Sequence, residues 1–208
     1  MLTEKTGRTP QDLAAELAGL RGIDWPWVWA GPPQGGSPQF REWCARYGWE
    51  PRNVEGNLDV RTSTGGELTF GAGGAWNPVD RVDYLAWDLG ATTAEANPQV
   101  LTTATDAWSA YLGAAESVLG TPTWTGQWDS PEFPDAPHES AWGGQEFRLR
   151  TRSPYQVAYW ASATGRPGEV AFVLEQTVTF PTWTDNMAGG SAIGFVAYRP
   201  REAGDGRQ

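Results

Sequence analysis

Two stretches of the N-terminal third place apolar residues at the three- and four-residue spacing of an amphipathic helix. The first predicts a helix over 10–21, with Thr9 as its N-cap and Pro10 in its first turn. The second predicts a helix that begins at Ser37-Pro38 and ends at Gly48. The apolar stripes are Leu13, Leu17 and Leu20 in the first helix, and Phe40, Trp43, Cys44 and Tyr47 in the second.

A tryptophan-rich segment, Trp25-Pro26-Trp27-Val28-Trp29, separates these two helices. Its indoles recur with period two, and alternate side chains of an extended chain point to the same face. The pattern therefore predicts an extended segment with all three rings on one face. Pro26 has no amide hydrogen to donate, so we expect this segment outside the centre of any sheet.

Alternation typical of β-strands begins at Trp49. Residues 58–62 and 67–70 flank Gly65-Gly66, which predicts a hairpin. A largely apolar run over 79–89 predicts a strand that is buried on one face. Further strands are predicted over 123–128, 145–152, 156–163, 169–179 and 192–198, with a hairpin turn at Gly165 and Gly168.

One long helix is predicted between these groups of strands. Asn97 is a favourable N-cap and Pro98 a favourable first-turn residue, while Gly120 and Pro122 end the helix. Its apolar stripe is Ala104, Ala107, Trp108, Tyr111, Leu112, Ala115 and Leu119.

This order of elements predicts an α+β protein. We expect a mostly antiparallel sheet, two short N-terminal helices, and one long central helix packed on a sheet face. Residues 1–208 form a single domain in this interpretation, because no linker divides the chain. Residues 1–8 and 200–208 are expected to be flexible tails, and 129–142 and 180–190 to be long loops.

Charge and composition narrow the classes of function. The net charge is −10, from 25 acidic and 15 basic residues, which disfavours nucleic acid as a partner and favours a basic protein. Neither a signal-peptide apolar region nor a run of 18 apolar residues is found, so we expect a cytoplasmic protein that does not bind membranes. The sequence gives no indication of the oligomeric state.

The residues on which catalysis usually depends are scarce. Cys44 and His138 are the sole thiol and imidazole, so no intrachain disulfide or multi-cysteine metal site can form. Cys44 falls on an apolar stripe, which is typical of a core thiol. His138 lies in a proline-rich loop, and Gly71-Ala72-Gly73-Gly74 matches no phosphate-binding motif. We therefore expect no enzyme activity, no cofactor and no metal.

Two alternatives stay open. Asp80, Asp83 and Asp88 lie on one predicted strand, and a glycosidase-type hydrolase needs two carboxylates beside a cleft. Period two, however, places Asp83 on the opposite face from the other two. Aromatic platforms for sugar rings are the second alternative, since four tryptophans lie in or near loops. They are Trp124, Trp128, Trp142 and Trp183.

The two long loops are the candidate partner-binding surface. The stretch 129–139 combines four carboxylates with a phenylalanine and several prolines, which limit its freedom when unfolded. Acidic groups around an aromatic anchor suit the capture of a basic protein surface. The second loop has similar character. The candidate partner-binding residues are Asp129, Glu132, Phe133, Asp135, His138, Glu139, Trp183 and Asp185.

Several short motifs resemble a known group of proteins. The first helix followed by Trp25-x-Trp27, a helix that ends in Gly48-Trp49, and Leu119-Gly120-Thr121-Pro122 after the long helix carry the likeness. They resemble uncharacterised actinobacterial proteins that look like immunity proteins of secreted polymorphic toxins. The resemblance covers 10–50 and 100–125. It implies a non-enzymatic protein that neutralises a cognate toxin by occluding its active site, and it identifies no contact residue.

Overall fold

One antiparallel sheet lies at the centre of the computed structural model, which describes residues 1–32, 38–53, 58–72, 78–161, 169–179 and 187–200. Within these ranges the strand order is β2-β3-β4-β5-β9-β8-β7-β6, and β1 pairs with the end of β5. The strands are β1 (Leu2–Glu4), β2 (Glu50–Asn53), β3 (Leu58–Arg61), β4 (Glu67–Ala72), β5 (Val79–Ala91), β6 (Trp124–Gln127), β7 (Gln156–Trp160), β8 (Ala171–Val178) and β9 (Gly190–Tyr198).

The first four helices cover one face of the sheet, called the inner face below. The long helix α4 crosses the three central strands β5, β9 and β8, and α1 packs beside it. This arrangement confirms the predicted α+β class and the long helix on a sheet face. The helices are α1 (Pro10–Arg21), α2 (Trp25–Trp29), α3 (Pro38–Ala45), α4 (Asn97–Leu119) and α5 (Gln145–Thr151).

The main core lies between the inner face and these helices. Alternate residues of β8 and β9, such as Phe172 and Phe195, are completely buried and meet at 5.1 Å between ring centroids. Full burial of an apolar side chain of this size stabilises a fold by about 1.5–3 kcal/mol. The stripe of α4 that meets them is Val100, Ala104, Trp108, Tyr111, Ala115 and Leu119.

The two predicted N-terminal helices are confirmed. Thr9 caps α1 by accepting a bond from the Asp12 amide at 3.2 Å, and the Asp12 carboxylate accepts one from the Thr9 amide at 2.8 Å. In α3 the stripe residues Phe40, Trp43 and Cys44 are buried, while Tyr47 follows the helix and is half-buried. Gly48 comes next with φ +68°, a conformation that glycine adopts without strain. Ser37, the predicted N-cap of α3, lies outside the described residues.

The prediction of an extended segment at 25–29 is wrong, because these residues form helix α2. The Asp24 side chain caps it by accepting a bond from the Trp27 amide at 3.3 Å. Trp25 and Trp29, four residues apart, stack at 4.9 Å and are both buried. Trp27 points elsewhere and stacks on Trp43 at 5.0 Å. The prediction failed because the four-residue spacing of Trp25 and Trp29 fits both a period-two strand pattern and one face of a helix.

The predicted strand at 145–152 is also wrong, since Gln145–Thr151 is helix α5. Its residues are mostly strong helix formers. Arg152 ends the helix with φ 51°, and its amide donates to the Arg148 carbonyl. The other strands were predicted correctly within a few residues, although the turn at Gly165 and Gly168 lies outside the described residues.

Two further predictions need correction, one at the N-terminus of the chain and one at the start of α4. Residues 1–8 are not a loose tail throughout, because Leu2–Glu4 pairs with β5 and Leu2 lies opposite Ala91. Asn97 does not cap α4 but is its first residue. Its side chain donates to the Met187 carbonyl and accepts from the Gly189 amide, both at 2.9 Å. Of the predicted tail over 200–208, residues 201–208 lie outside the described residues.

Each of the two edge strands has a feature that limits pairing with a further strand. The edge strand β2 contains Pro51, which has no amide hydrogen to offer a neighbour. At the opposite edge β6 is four residues long, and the Ser130 hydroxyl accepts a bond from the Gln127 amide at 3.0 Å. No helix within the described ranges has the length and apolar character needed to cross a membrane.

Candidate functional site

The second face of the sheet, the outer face, is covered over only part of its width. A smaller core lies on strands β6 to β9, where alternate residues point away from α4. The cap loop, residues 129–142, folds back over this half and packs its aromatic side chains on it. The buried sheet residues beneath it are Val157, Ala171, Val173, Val196 and Tyr198.

Phe133 anchors the cap loop. Its ring meets Trp124 at 4.9 Å and Trp142 at 5.4 Å, in both cases edge to face. The guanidinium of Arg148 lies 3.9 Å from the ring centroid and donates to the Trp128 carbonyl. Phe133 is therefore an internal anchor that joins the loop to α5, and it does not project as an aromatic contact.

His138 is held on the sheet as well. Its ring stacks on Tyr198 with centroids 6.1 Å apart, and its Nδ1 accepts the Ser140 amide hydrogen at 3.3 Å. The Ser140 hydroxyl lies 2.8 Å from the same nitrogen. These contacts position the imidazole as part of the packing of the loop.

The four carboxylates of the cap loop point outward. Their residues are exposed, whereas Phe133, Pro137 and His138 between them are partly or fully buried. The folded-back loop thus presents acidic groups on an ordered apolar base. The exposed acidic residues are Asp129, Glu132, Asp135 and Glu139. The remaining predicted contacts, Trp183 and Asp185, lie outside the described residues.

Helix α5 adds apolar surface beside the loop. Phe147 and Leu149 are 48% and 43% exposed, on either side of the buried Arg148. The sequence predicted a strand here, so it did not identify these two residues as exposed. In helix α5 Arg148 is the residue that points inward, and its neighbours Phe147 and Leu149 point outward. Aromatic and aliphatic side chains exposed beside acidic groups are typical of protein-binding surfaces.

The other half of the outer face, called the open half below, has no covering element among the described residues, and sequence reasoning missed it. A bulge between Leu85 and Trp87 changes the alternation of β5, so that Asp83 and Asp88 share the outer face. The prediction that these two lie on opposite faces is wrong for this reason. Leu85 is 49% exposed, although it lies in the middle of a central strand.

Two carboxyl groups converge on this open half. Asp83 pairs with Arg81 at 3.0 Å, yet burial raises the pKa of Asp83 above its usual value. Burial and the nearby Asp83 raise the pKa of Glu175 to about 7, against the opposing charge of Arg81. Glu175 interrupts the apolar run of β8, which was the signal available in the sequence.

A third carboxylate is buried between α1 and the β3–β4 hairpin. Glu16 is 3% exposed, and its Oε1 accepts bonds from Arg8 at 3.1 Å and from the Gly66 amide at 3.0 Å. The hydroxyls of Thr62 and Thr64 also donate to it. A cavity of about 80 Å³ adjoins this group. Because Oε1 already accepts these hydrogen bonds, Glu16 serves as a structural link between α1 and the β3–β4 hairpin.

The remaining candidate residues are packed into the fold. Cys44 is 1% exposed, and burial raises the pKa of its thiol to about 11. Trp124 and Trp142 pack on Phe133, and Arg152 lies over Trp128. Part of each ring is therefore covered by a side chain of the protein itself and cannot stack on a sugar. Trp183, the fourth, lies outside the described residues. Within the described part of the chain, no three acidic, imidazole or thiol groups are placed to hold a metal ion.

None of the protein-family models, curated proteins or solved structures with which the chain was compared matches it.

Proposed function

We propose that this chain is a non-enzymatic binding protein that holds a basic protein partner against the cap loop and helix α5. The observation that carries the proposal is the arrangement of the loop, which buries Phe133 and exposes the carboxylates of Asp129, Glu132, Asp135 and Glu139. Packing orders the loop before any partner arrives, so association costs less conformational entropy than the ordering of a free loop.

The charge and the apolar surface have separate roles in this proposal. The four carboxylates accelerate association with a basic surface and select for it. Phe147 and Leu149 lose water on contact and slow dissociation. Both features occur together at the surfaces of specific protein complexes, where an apolar centre is bordered by polar groups.

The resemblance of residues 10–50 and 100–125 to immunity proteins supports a secreted toxin as the partner. Occlusion of a toxin's active site needs a surface that fits it and no chemistry from the inhibitor, and an acidic surface is complementary to a basic toxin. The buried Cys44 thiol and the stacked His138 ring are consistent with such a role. Localisation in the cytoplasm of the producing cell belongs to the same proposal.

Charge reversal of the cap loop tests the proposal. Each protein encoded by the flanking genes is produced in a bacterial host with this chain, and growth and co-purification are measured. We expect one of them to be toxic alone and neutralised by the wild-type chain. Replacement of Asp129, Glu132, Asp135 and Glu139 by Lys should abolish both protection and co-purification.

A matched variant carries the same change in charge on the helical side. Glu42, Glu95, Asp106 and Glu116 are exposed residues on or beside α3 and α4, and their replacement by Lys should leave protection intact. Full protection by the cap-loop variant, or equal loss in both variants, contradicts the proposed surface. Catalytic turnover of any toxin by this chain contradicts a purely binding role.

A further inference from the structure

The open half of the outer face contains a shallow trough formed by Asp83, Leu85, Gly194 and Glu175. In the sheet register Leu85 lies opposite Gly194, and Gly194 lies opposite Glu175. Neighbouring strands are about 4.8 Å apart, so Leu85 and Glu175 stand about 10 Å apart across a residue with no side chain. The trough has a glycine floor, an apolar wall and an acidic wall.

The trough ends where the cap loop begins. Val157 and Val173, which neighbour Glu175 on the outer face, are completely buried, while Leu85 remains 49% exposed. Leu85 thus keeps about half of its surface in contact with water at the centre of the sheet, and exposed apolar surface in such a position is typical of interaction sites. The boundary of the cap loop therefore leaves an edge against which a bound segment can rest.

The charges of the trough are incompletely compensated. The Arg81 side chain passes over Gly71 on β4, where an added Cβ would lie 2.8 Å from Arg81 Cγ. It therefore reaches Asp83 from the side away from Gly194. Among the described residues no hydrogen-bond donor contacts the Glu175 carboxyl, and the negative charge of Asp83 opposes its ionisation.

We propose that this trough is a second contact for the basic protein partner, which inserts an arginine or lysine side chain between Asp83 and Glu175 and covers Leu85 with an apolar neighbour. The inference rests on the proposed function for the identity of the partner. Charge complementarity supports it, because a cation relieves the repulsion between the two carboxyl groups. A partner that contacts both the cap loop and the trough spans the two halves of the outer face.

The probe for the test is Nα-acetyl-arginine amide, with the uncharged isostere Nα-acetyl-citrulline amide as its control. Backbone ¹⁵N–¹H spectra of the full chain are recorded during titration with each. We expect the arginine derivative to shift the amide signals of Leu85, Gly194 and Glu175 in a saturable manner. The citrulline derivative should produce less than a tenth of these shifts.

Two variants separate charge from shape. Glu175→Gln removes the charge without changing the shape, and it should weaken binding at least fivefold. Gly194→Val fills the floor and should abolish the shifts. A Cβ at Gly194 would approach only the Tyr84 carbonyl, at 3.8 Å, and circular dichroism of the variant checks that the fold is kept. Asp106→Asn, on the exposed side of α4, is the control and should bind as the wild type does.

Three outcomes overturn the inference: equal shifts with the citrulline derivative, unchanged shifts in both trough variants, or shifts confined to the cap loop. In each case the cap-loop charge reversal still reports on the proposed function independently. If the trough variants bind the probe weakly and the cap-loop variant still protects cells, the trough stands as a cation-binding surface and the proposed function fails.

Discussion

The ring of Phe133 lies 3.9 Å from the guanidinium carbon of Arg148, so that an aromatic residue of the cap loop and a basic residue of α5 hold each other in place. Arg148 also donates to the Trp128 carbonyl, at the point where the cap loop begins. One buried cation thus connects the two ends of the surface proposed to bind a partner. Loss of either side chain should release the loop from the sheet.

Phe133→Ala is expected to lower the free energy of unfolding by about 2–4 kcal/mol, because the ring packs against Trp124 and Trp142 as well as Arg148. Phe147→Ala, at an exposed position of α5, should cost less than about 1 kcal/mol. Urea titration followed by tryptophan fluorescence measures both. Equal losses in the two variants would show that Phe133 is not an internal anchor.

Glu16→Ala is expected to cost about 3–5 kcal/mol, since Arg8, Thr62 and the Gly66 amide lose the acceptor that they share. The comparison is Glu67→Ala, which removes the exposed ion pair with Arg61 and should cost less than about 1 kcal/mol. Chemical denaturation of the two variants under one set of conditions gives the difference. Similar values would contradict a structural role for the buried carboxylate.

Two glycine-to-alanine substitutions should act in opposite directions. A Cβ at Gly66 would collide with the Glu16 carboxylate and lie 2.9 Å from the Tyr84 ring, so Gly66→Ala is expected to lower the melting temperature. Gly113 lies in α4 with open space where a Cβ would be added, and Ala there should stabilise by about 0.5–1 kcal/mol. Thermal unfolding monitored by circular dichroism tests the two signs.

The stability should depend on pH through Glu175. Its pKa rises from 4.5 to about 7 in the folded chain, so the folded state binds the proton more tightly than the unfolded state does. The contribution of Glu175 to stability is therefore greatest below its unfolded pKa, falls as the pH rises from about 4.5 to about 7, and stays low above that. Asp83, Arg81 and Tyr198 lie near it: burial raises the pKa of Asp83 and of Tyr198, and the Asp83 carboxylate raises the pKa of Arg81.

Glu175→Gln isolates this effect. We expect the variant to gain about 2–3 kcal/mol on the wild type between about pH 5 and pH 8, because a tenfold change in proton affinity corresponds to about 1.4 kcal/mol and the shift from 4.5 to about 7 exceeds two such steps. Denaturant titrations of both proteins across this range supply the comparison. A constant difference between them at every pH would contradict the raised pKa of Glu175.

Much of the fold was predictable because its signals were local. The caps and stripes of α1 and α3, and the long stripe of α4, are helical features that need no information from distant residues. The strands β3 to β5 were predictable from alternation and from the glycines between them. Local propensity and tertiary packing favoured the same structure in these segments.

Two of the wrong predictions concern short segments whose spacing fits more than one structure. In Trp25–Trp29 the period-two indoles include an i, i+4 pair, and the Asp24 cap decides for a helix. In Gln145–Thr151 apolar and polar residues alternate as in a strand, but Arg148 is drawn inward by Phe133 and the Trp128 carbonyl. Both partners lie outside this segment, so the spacing of apolar residues within it gives no information about them.

The candidate surfaces were predictable only in part. Composition identified the acidic residues of the cap loop, which are exposed, but it also suggested Phe133 as a projecting anchor, and this ring is packed inside. The face that Asp88 shares with Asp83 depends on the bulge after Leu85, and the trough depends on the pairing of Gly194 with two strands. Neither the bulge nor the register can be derived from spacing along one strand.

The edge strands β2 and β6 have a consequence for how this molecule associates with others. With Pro51 lacking an amide hydrogen at one margin and the Ser130 hydroxyl occupying the Gln127 amide at the other, each margin offers a further chain one main-chain donor fewer with which to extend the ladder. Recruitment by backbone pairing, which tolerates almost any sequence, is thereby discouraged at both margins. Under the proposed function, selection of a partner therefore falls to side chains, and we expect a small number of substitutions on the outer face to change it.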